Sequence, residues 1–302
     1  MVLIVIFTWI TENLAQSPRP RSRDLDIIAE LFNAVVVLLS RSEVSESYIR
    51  ELERRGLRVL HKPTLDFHPV ELYDLVESVL FIDEVVSSGG RVLVHCAGGV
   101  GRSSVVTTGY LLYRGLNLYD AVTHVRSRVP GALEVSWQLT ILEDFSDLLS
   151  ALGRSRLSFY VRVLRELGLS ERSTRHLFKV FQLTAELARS LSPGDRRVLM
   201  DALLHVHSSS VRSELSARLG VEVSSEESLL VSLAHSLDYD ESSRVVVVGI
   251  DETDPSCTVI RALCDEPCSD VVSEASKLRS NLEEVLKRRF IIEWAEYTNY
   301  TW

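Results

Sequence analysis

One stretch restricts this chain more than any other: Val92-Leu-Val-His-Cys-Ala-Gly-Gly-Val-Gly-Arg-Ser-Ser104. An apolar run leads into a glycine-rich loop, and helical periodicity begins at its far side. A strand-loop-helix unit of this kind can turn successive backbone N–H groups inward and aim a helix N-terminus at the same point, which makes a nest for an anion. Gly98, Gly99 and Gly101 supply the conformational freedom such a turn needs. The nest favours a thiolate at Cys96, and Arg102 at its end can fork onto two phosphoryl oxygens, as a lysine could not. Ser103 can donate to the sulfur and ease its departure from a covalent intermediate. The pattern therefore predicts a phosphate-binding loop, formed by Ala97, Gly98, Gly99, Val100, Gly101 and Arg102, that carries its own nucleophile.

Around this loop, apolar runs alternate with amphipathic stretches. Residues 1–10 read as a strand, 11–23 as a loop with two prolines, 25–32 as a helix and 34–39 as a buried strand. A helix over 45–55 stops at Gly56, a strand follows at 57–60, and a long helix runs from about Val70 to Val86. Asp74 and Asp83 fall inside that helix and read as solvated or as facing neighbours at i,i+4. Residues 91–95 form the strand into the loop and 103–114 the helix out of it. The expected fold class is α/β, a mostly parallel sheet flanked by helices, with the catalytic loop at the carboxyl end of a central strand.

Expelling an oxygen leaving group from phosphate requires a proton donor. Asp66, thirty residues before Cys96 in the loop Leu65-Asp-Phe-His-Pro69, is the candidate acid, on a segment that can act as a mobile flap. Asp is also a favoured helix cap, and His68 is the local substitute if Asp66 only caps.

The first half, residues 1–150, resembles compact archaeal or atypical dual-specificity protein phosphatases, which are cysteine-dependent. The resemblance rests on Trp9, Asn13-Leu-Ala-Gln-Ser-Pro18, Asp66-Phe-His-Pro69, His95–Ser104, Ala121-Val-Thr-His-Val-Arg-Ser-Arg128, Pro130-Gly-Ala-Leu-Glu134 and Gln138. It implies a protein tyrosine phosphatase-like fold, Cys96 as nucleophile, Arg102 as phosphate clamp, and Asp66 as acid and then as base. His95 would support the loop. Gln138 would position the hydrolytic water, unless it is simply a surface glutamine. Many relatives carry an arginine directly before the Pro-Gly pair; here Val129 stands there and Arg128 is displaced by one. No Lys or Arg lies between Cys96 and Arg102, which disfavours polyanionic substrates and favours phosphotyrosine and, more slowly, phosphoserine or phosphothreonine.

Past about residue 151 the texture turns helical, with a boundary near Ala151–Leu157. Residues 155–302 are expected to form a mainly helical accessory domain ending in a β-β-α-β unit: strands at 244–250 and 258–263, one helix over 270–287, and a strand at 290–294. Ser192-Pro193 reads as a helix start, and Ser224–Glu227 has capping-box spacing. This half more weakly resembles the HD-like C-terminal domain of exopolyphosphatase and guanosine-pentaphosphatase proteins, through His176, Asp201-Ala-Leu-Leu-His205, Leu233-Ala-His-Ser-Leu-Asp238 and the segment 282–292. Val206 and His235 stand where that family places metal-binding aspartates. The resemblance thus implies degenerate metal ligands, histidines that are packed or solvated, and a binding, regulatory or dimerising role.

At 302 residues the chain has room for two domains. Its net charge of −9 comes without any basic block, which argues against nucleic acid and anionic membranes as partners. Phosphoproteins are the expected partners, with a homodimer or a regulatory ligand available to 155–302, and no cofactor or metal is expected. The opening Val2–Phe7 run is too short to span a bilayer, so a cytoplasmic location is the expectation. Only 4 of 33 basic residues are lysine and Gln occurs three times, a bias that hints at a thermophilic source. Cys257, Cys264 and Cys268 read as simple core or surface cysteines, with a disulfide as the alternative.

Overall fold

The structure is a computed structural model that describes residues 7–222, 228–254 and 256–297. Most of the opening run expected as a strand, and the Ser224–Glu227 capping box, lie outside the described residues. The chain divides into two compact units, Met1–Ser146 and Asp147–Trp302.

The first unit runs β1 (Thr8–Trp9), β2 (Leu14–Ser17), α1 (Leu25–Leu31), β3 (Ala34–Leu39), α2 (Glu46–Arg54), β4 (Arg58–Thr64), α3 (Leu72–Ser87), β5 (Val92–His95), α4 (Arg102–Arg114), α5 (Leu118–Arg128) and α6 (Ser136–Leu152), with the unit boundary inside α6. The sheet has the order β1-β2-β5-β3-β4, parallel throughout except for the antiparallel β1–β2 pair. Every residue of β3 and β5 is buried, as covering both faces of a parallel sheet requires. β5 lies between β2 and β3, so Ser17 and Val37 both pair with His95 in register. The carboxyl ends of three strands thus meet where the phosphate loop begins.

Two sequence expectations are corrected here. Residues 14–17 are a strand rather than loop, and Gln16 at its centre is buried because its amide is used against the phosphate loop. Asp74 is buried too, ion-paired to Lys62 at 3.0 Å; Glu77 also pairs with that lysine, so a carboxylate that reads as solvated is an internal charge with partners.

In the second unit the helices are α7 (Arg154–Glu166), α8 (Glu171–Leu191), α9 (Arg196–Leu203), α10 (Ser209–Leu219) and α11 (Leu229–Ser236). Then come β6 (Val245–Asp254), β7 (Cys257–Cys264), α12 (Ser269–Ser276), α13 (Arg279–Leu286) and β8 (Arg289–Glu296). The buried helix α8 is the axis of the unit, with α9, α11 and β6 packed on it. The sheet order is β6-β7-β8, antiparallel and then parallel.

Three expectations change. Asp195, not Ser192, caps α9, accepting from the N–H groups of Arg197 and Val198, and Pro193 lies in the turn before it. The single helix expected over 270–287 is two, because the N–H groups of Lys277 and Leu278 bond three residues back and close α12. Cys264 and Cys268 form a disulfide, brought together by the turn through Pro267.

Candidate active site

Strand β5 delivers the chain to Cys96, and helix α4 takes it away at Arg102. Between them the loop is held from outside through its carbonyls. Ala97 O accepts from the Arg19 N–H at 3.0 Å, Gly99 O from Gln16 Nε2 at 2.8 Å, and Val100 O from the Leu133 N–H at 3.0 Å. Carbonyls turned outward and N–H groups turned inward are what make a nest. Gln16 also donates to Ser104 Oγ and accepts from Thr107 Oγ1, so one buried amide ties the loop to the first turn of α4. Gly99 has φ of +76°, and a Cβ there would lie 2.3 Å from Pro18 N. No other residue fits that position.

Cys96 is buried. Its Sγ accepts from the Gly99 N–H at 3.2 Å and lies 3.4 Å from Ser103 Oγ. His95 behind it is fully buried, with Nε2 3.1 Å from Tyr48 Oη and Nδ1 3.4 Å from Cys96 O. Burial pushes the imidazole down to about 4, so it is neutral near pH 7.

Arg102 is 1% exposed. Its NH1 donates to Glu43 Oε2 at 2.6 Å, Thr64 O at 2.7 Å and Leu38 O at 3.3 Å, and its NH2 donates to Glu43 Oε1 at 2.9 Å. NH2 also pairs with Asp66 Oδ1 at 3.0 Å. One donor remains: Nε is buried and has no hydrogen-bond partner. The guanidinium is thus fixed at one edge by the bidentate Glu43, and a buried N–H is left for an anion. The hydrogen bond from Arg102 holds the Glu43 carboxyl down at about 2, and the Ser40 N–H adds to this.

Sequence reading did not single out Glu43. It lies four residues past the end of β3, and only the strand order that places β3 beside β5 brings it to Arg102; the one local signal is its position in a loop after a buried strand.

Asp66 sits in the loop after β4, 53% exposed at its side chain, and accepts from the Phe67 N–H at 3.2 Å. Its reach to Arg102 places the candidate acid at the phosphate clamp. Phe67 has φ of +62°, a left-handed conformation unusual for an aromatic residue, so the segment carrying Asp66 holds backbone strain. Leu65 and Phe67, 52% and 55% exposed, flank the acid with apolar surface. His68 points its Nδ1 at Asp66 O and so belongs to the same turn.

From the other side, the loop before α6 brings Glu134, and the first turn of α6 brings Gln138, over Gly101, where an added Cβ would lie 2.5 Å from Glu134 Oε1 and 2.8 Å from Gln138 Nε2. Partial burial, and then the charge of Asp66, raise the Glu134 carboxyl. Gln138 is completely buried, which removes the surface-glutamine reading, and neither of its amide atoms has a hydrogen-bond partner. Arg128 turns back to His124 O and stays out of the site. Arg126 does the supporting instead, donating to Ala132 O and Leu133 O of the Pro-Gly loop.

The structure therefore gathers Cys96, Ser103, Arg102, Asp66, Gln138 and His95 around one loop. Comparison with known proteins gives the same stretch a relationship. Residues 32–145 match the family model for the dual specificity phosphatase catalytic domain. Dual specificity protein phosphatase 1 of Arabidopsis thaliana is 32% identical over 118 residues, 39% of this chain and 58% of that protein, so the chain spans less than two thirds of that relative's length. The phosphatidylglycerophosphate phosphatase PTPMT2 of Arabidopsis thaliana is 30% identical over 157 residues, 49% of this chain and 68% of the relative. The crystal structure of Tk-PTP in the active form is 39% identical, with a TM-score of 0.46, over 48% of this chain and 99% of that one.

Proposed function

The chain belongs to the dual-specificity phosphatase family through residues 32–145, and from that membership we propose that it hydrolyses phosphotyrosine and, more slowly, phosphoserine and phosphothreonine in proteins. The observation that carries this reading is the buried, unpartnered Nε of Arg102 at the end of a loop whose Gly99 N–H already serves the Cys96 sulfur.

In the first step the Cys96 thiolate attacks phosphorus. The S–P bond forms, the bond to the leaving oxygen breaks, and that oxygen takes the proton of the Asp66 carboxylic acid. Arg102 Nε and the loop N–H groups hold the non-bridging oxygens as charge builds on them. In the second step water attacks the phosphocysteine and gives its proton to the Asp66 carboxylate, while sulfur leaves as thiolate with a hydrogen bond from Ser103. The buried amide of Gln138 orients that water. No step calls for a cofactor. The apolar surfaces of Leu65 and Phe67 beside Asp66 suit the ring of a phosphotyrosine.

The similarity to a phosphatidylglycerophosphate phosphatase supports a second reading, a lipid phosphomonoester, whose acyl chains the same surfaces would meet. Phosphate release from phosphotyrosine, phosphoserine and phosphothreonine peptides and from phosphatidylglycerophosphate micelles separates the two. Wild type is expected to turn over phosphotyrosine fastest, Cys96→Ser to be inactive, and Asp66→Asn to lose about 10²-fold or more on poor leaving groups. Turnover confined to the lipid would replace the protein substrate, and folded wild type with no turnover would remove the phosphatase reading.

A further inference from the structure

Four histidines from three separate stretches of the chain meet in the second unit: His176 on α8, His205 and His207 in the connection from α9 to α10, and His235 on α11. The sequence suggests three separate remnants and overlooks His207; the fold makes one cluster. One potential ligand nitrogen from each lies within 4.8 Å of the other three. The six distances between ring centroids run from 4.7 Å for His205 and His235 to 5.8 Å for His176 and His205. Six nearly equal separations among four rings describe a tetrahedron. Four imidazoles bound to one ion through Zn–N bonds of ~2.0–2.1 Å would have centroids about 5 Å apart.

A second observation concerns direction. His176 is 98% buried, and its Nδ1 is 2.8 Å from Asp238 Oδ2, which is 99% buried. The other oxygen of Asp238 accepts from the Ser243 N–H at 2.8 Å, so the carboxylate is held on both sides. With Nδ1 turned to a carboxylate oxygen, which can only accept from an N–H there, Nε2 is the ring nitrogen left to face the cluster. That Nε2 is buried and has no hydrogen-bond partner. Carboxylate to Nδ1–H, with Nε2 facing the cluster, is the arrangement that orients a histidine on a metal. On the exposed side, Glu241 Oε1 stands 3.8 Å from His207 Nε2.

From this geometry we propose that His176, His205, His207 and His235 bind one late first-row divalent ion, of which zinc is the best match. Four nitrogen donors favour that class over magnesium or calcium, which take oxygen ligands. Four protein ligands fill a tetrahedral shell, so the site is structural: it ties α8 and α11 to the segment between α9 and α10, with no coordination position open to a substrate. The HD-like pattern that the sequence resembles places an aspartate where His235 stands, and an imidazole takes over the donor role there.

The test uses the full chain with any affinity tag removed, loaded with zinc chloride, passed through gel filtration and assayed for metal by mass spectrometry. One zinc per chain is expected to remain, and cobalt(II) to give the strong visible absorption of a tetrahedral nitrogen site. His207→Ala, whose side chain is 54% exposed and therefore dispensable for packing, is expected to weaken zinc binding at least tenfold. Asp238→Asn is expected to weaken it by about 10- to 100-fold, as loss of an outer carboxylate does elsewhere. No retained metal, or retention unchanged in both His207→Ala and His235→Ala with folding verified by circular dichroism, would overturn the proposal. Both readouts are independent of phosphatase activity.

Discussion

Arg102 is the residue on which most of the first unit's polar chemistry converges. Glu43 fixes its angle, and Asp66 shares its outer nitrogen. Removing the Glu43 charge lets the guanidinium turn, and a displacement of about 1 Å at a reacting centre is worth ~10²-fold in rate. Glu43→Gln is therefore expected to lower kcat/KM by about 10- to 100-fold without unfolding the protein, with Glu43→Asp recovering part of it; steady-state kinetics on a phosphotyrosine peptide checks both. The pH dependence of this contact has a definite sign. The Glu43 carboxyl falls from 4.5 to about 2 on folding, so its contribution is complete above 4.5 and is lost as pH drops through 2. His95 has a higher window. Its imidazole is lowered from 6.5 to about 4 by burial, so the unfolded chain binds the extra proton and stability is lost as pH falls through that interval. The full shift corresponds to about 3 kcal/mol. Urea denaturation at pH 7 and pH 4.5 is expected to show a loss that shrinks in His95→Gln.

At the scale of elements, the phosphate loop acts as one piece because β2, β5, α4 and the Pro-Gly loop all bond to it. Gly99→Ala would push a methyl into the backbone at Ser17 and Pro18, and its φ of +76° adds strain. It is expected to destabilise by about 2 kcal/mol or more and to abolish turnover, measurable as a lower urea midpoint together with lost phosphate release. The elements entering and leaving the loop were legible because an apolar run followed by glycines and helical spacing has few other solutions. Strand β2 was not. It is four residues long with a polar Gln16 at its centre, and that glutamine is buried only because its bonding partners lie 83 and 88 positions away. Glu43 was hidden for the same reason, since strand order rather than spacing brings it to the arginine.

Across the whole molecule, each of the two units carries its own core and its own polar centre. The proposed phosphatase chemistry rests on Cys96, Arg102 and Asp66 of the first unit, whereas the proposed ion rests on histidines of the second. Treatment with a strong chelator is therefore expected to lower the unfolding temperature while leaving phosphate release within about twofold of its untreated value, as calorimetry and a kinetic assay on the same sample would show. The histidines were half legible. The HD-like pattern marks His176, His205 and His235, but the carboxylates missing beside them point away from a metal, and no rule of spacing predicts that a turn after α9 delivers His207 to the same point. Among the described residues no helix is long and apolar enough to cross a membrane.

The bracing of the loop by Gln16 also sets an order of events during synthesis. Gln16 emerges from the ribosome early, yet its partners Gly99 and Ser104 follow 83 and 88 residues later, and Gln138 later still. A nascent chain can form helices α1 to α3 from local contacts, but the nest around Cys96 cannot close before β5 is available to pair with both β2 and β3. Until β5 has been made, β1–β2 and β3–β4 have no strand to join them, and the strand that completes the sheet is the one that leads into the nucleophile.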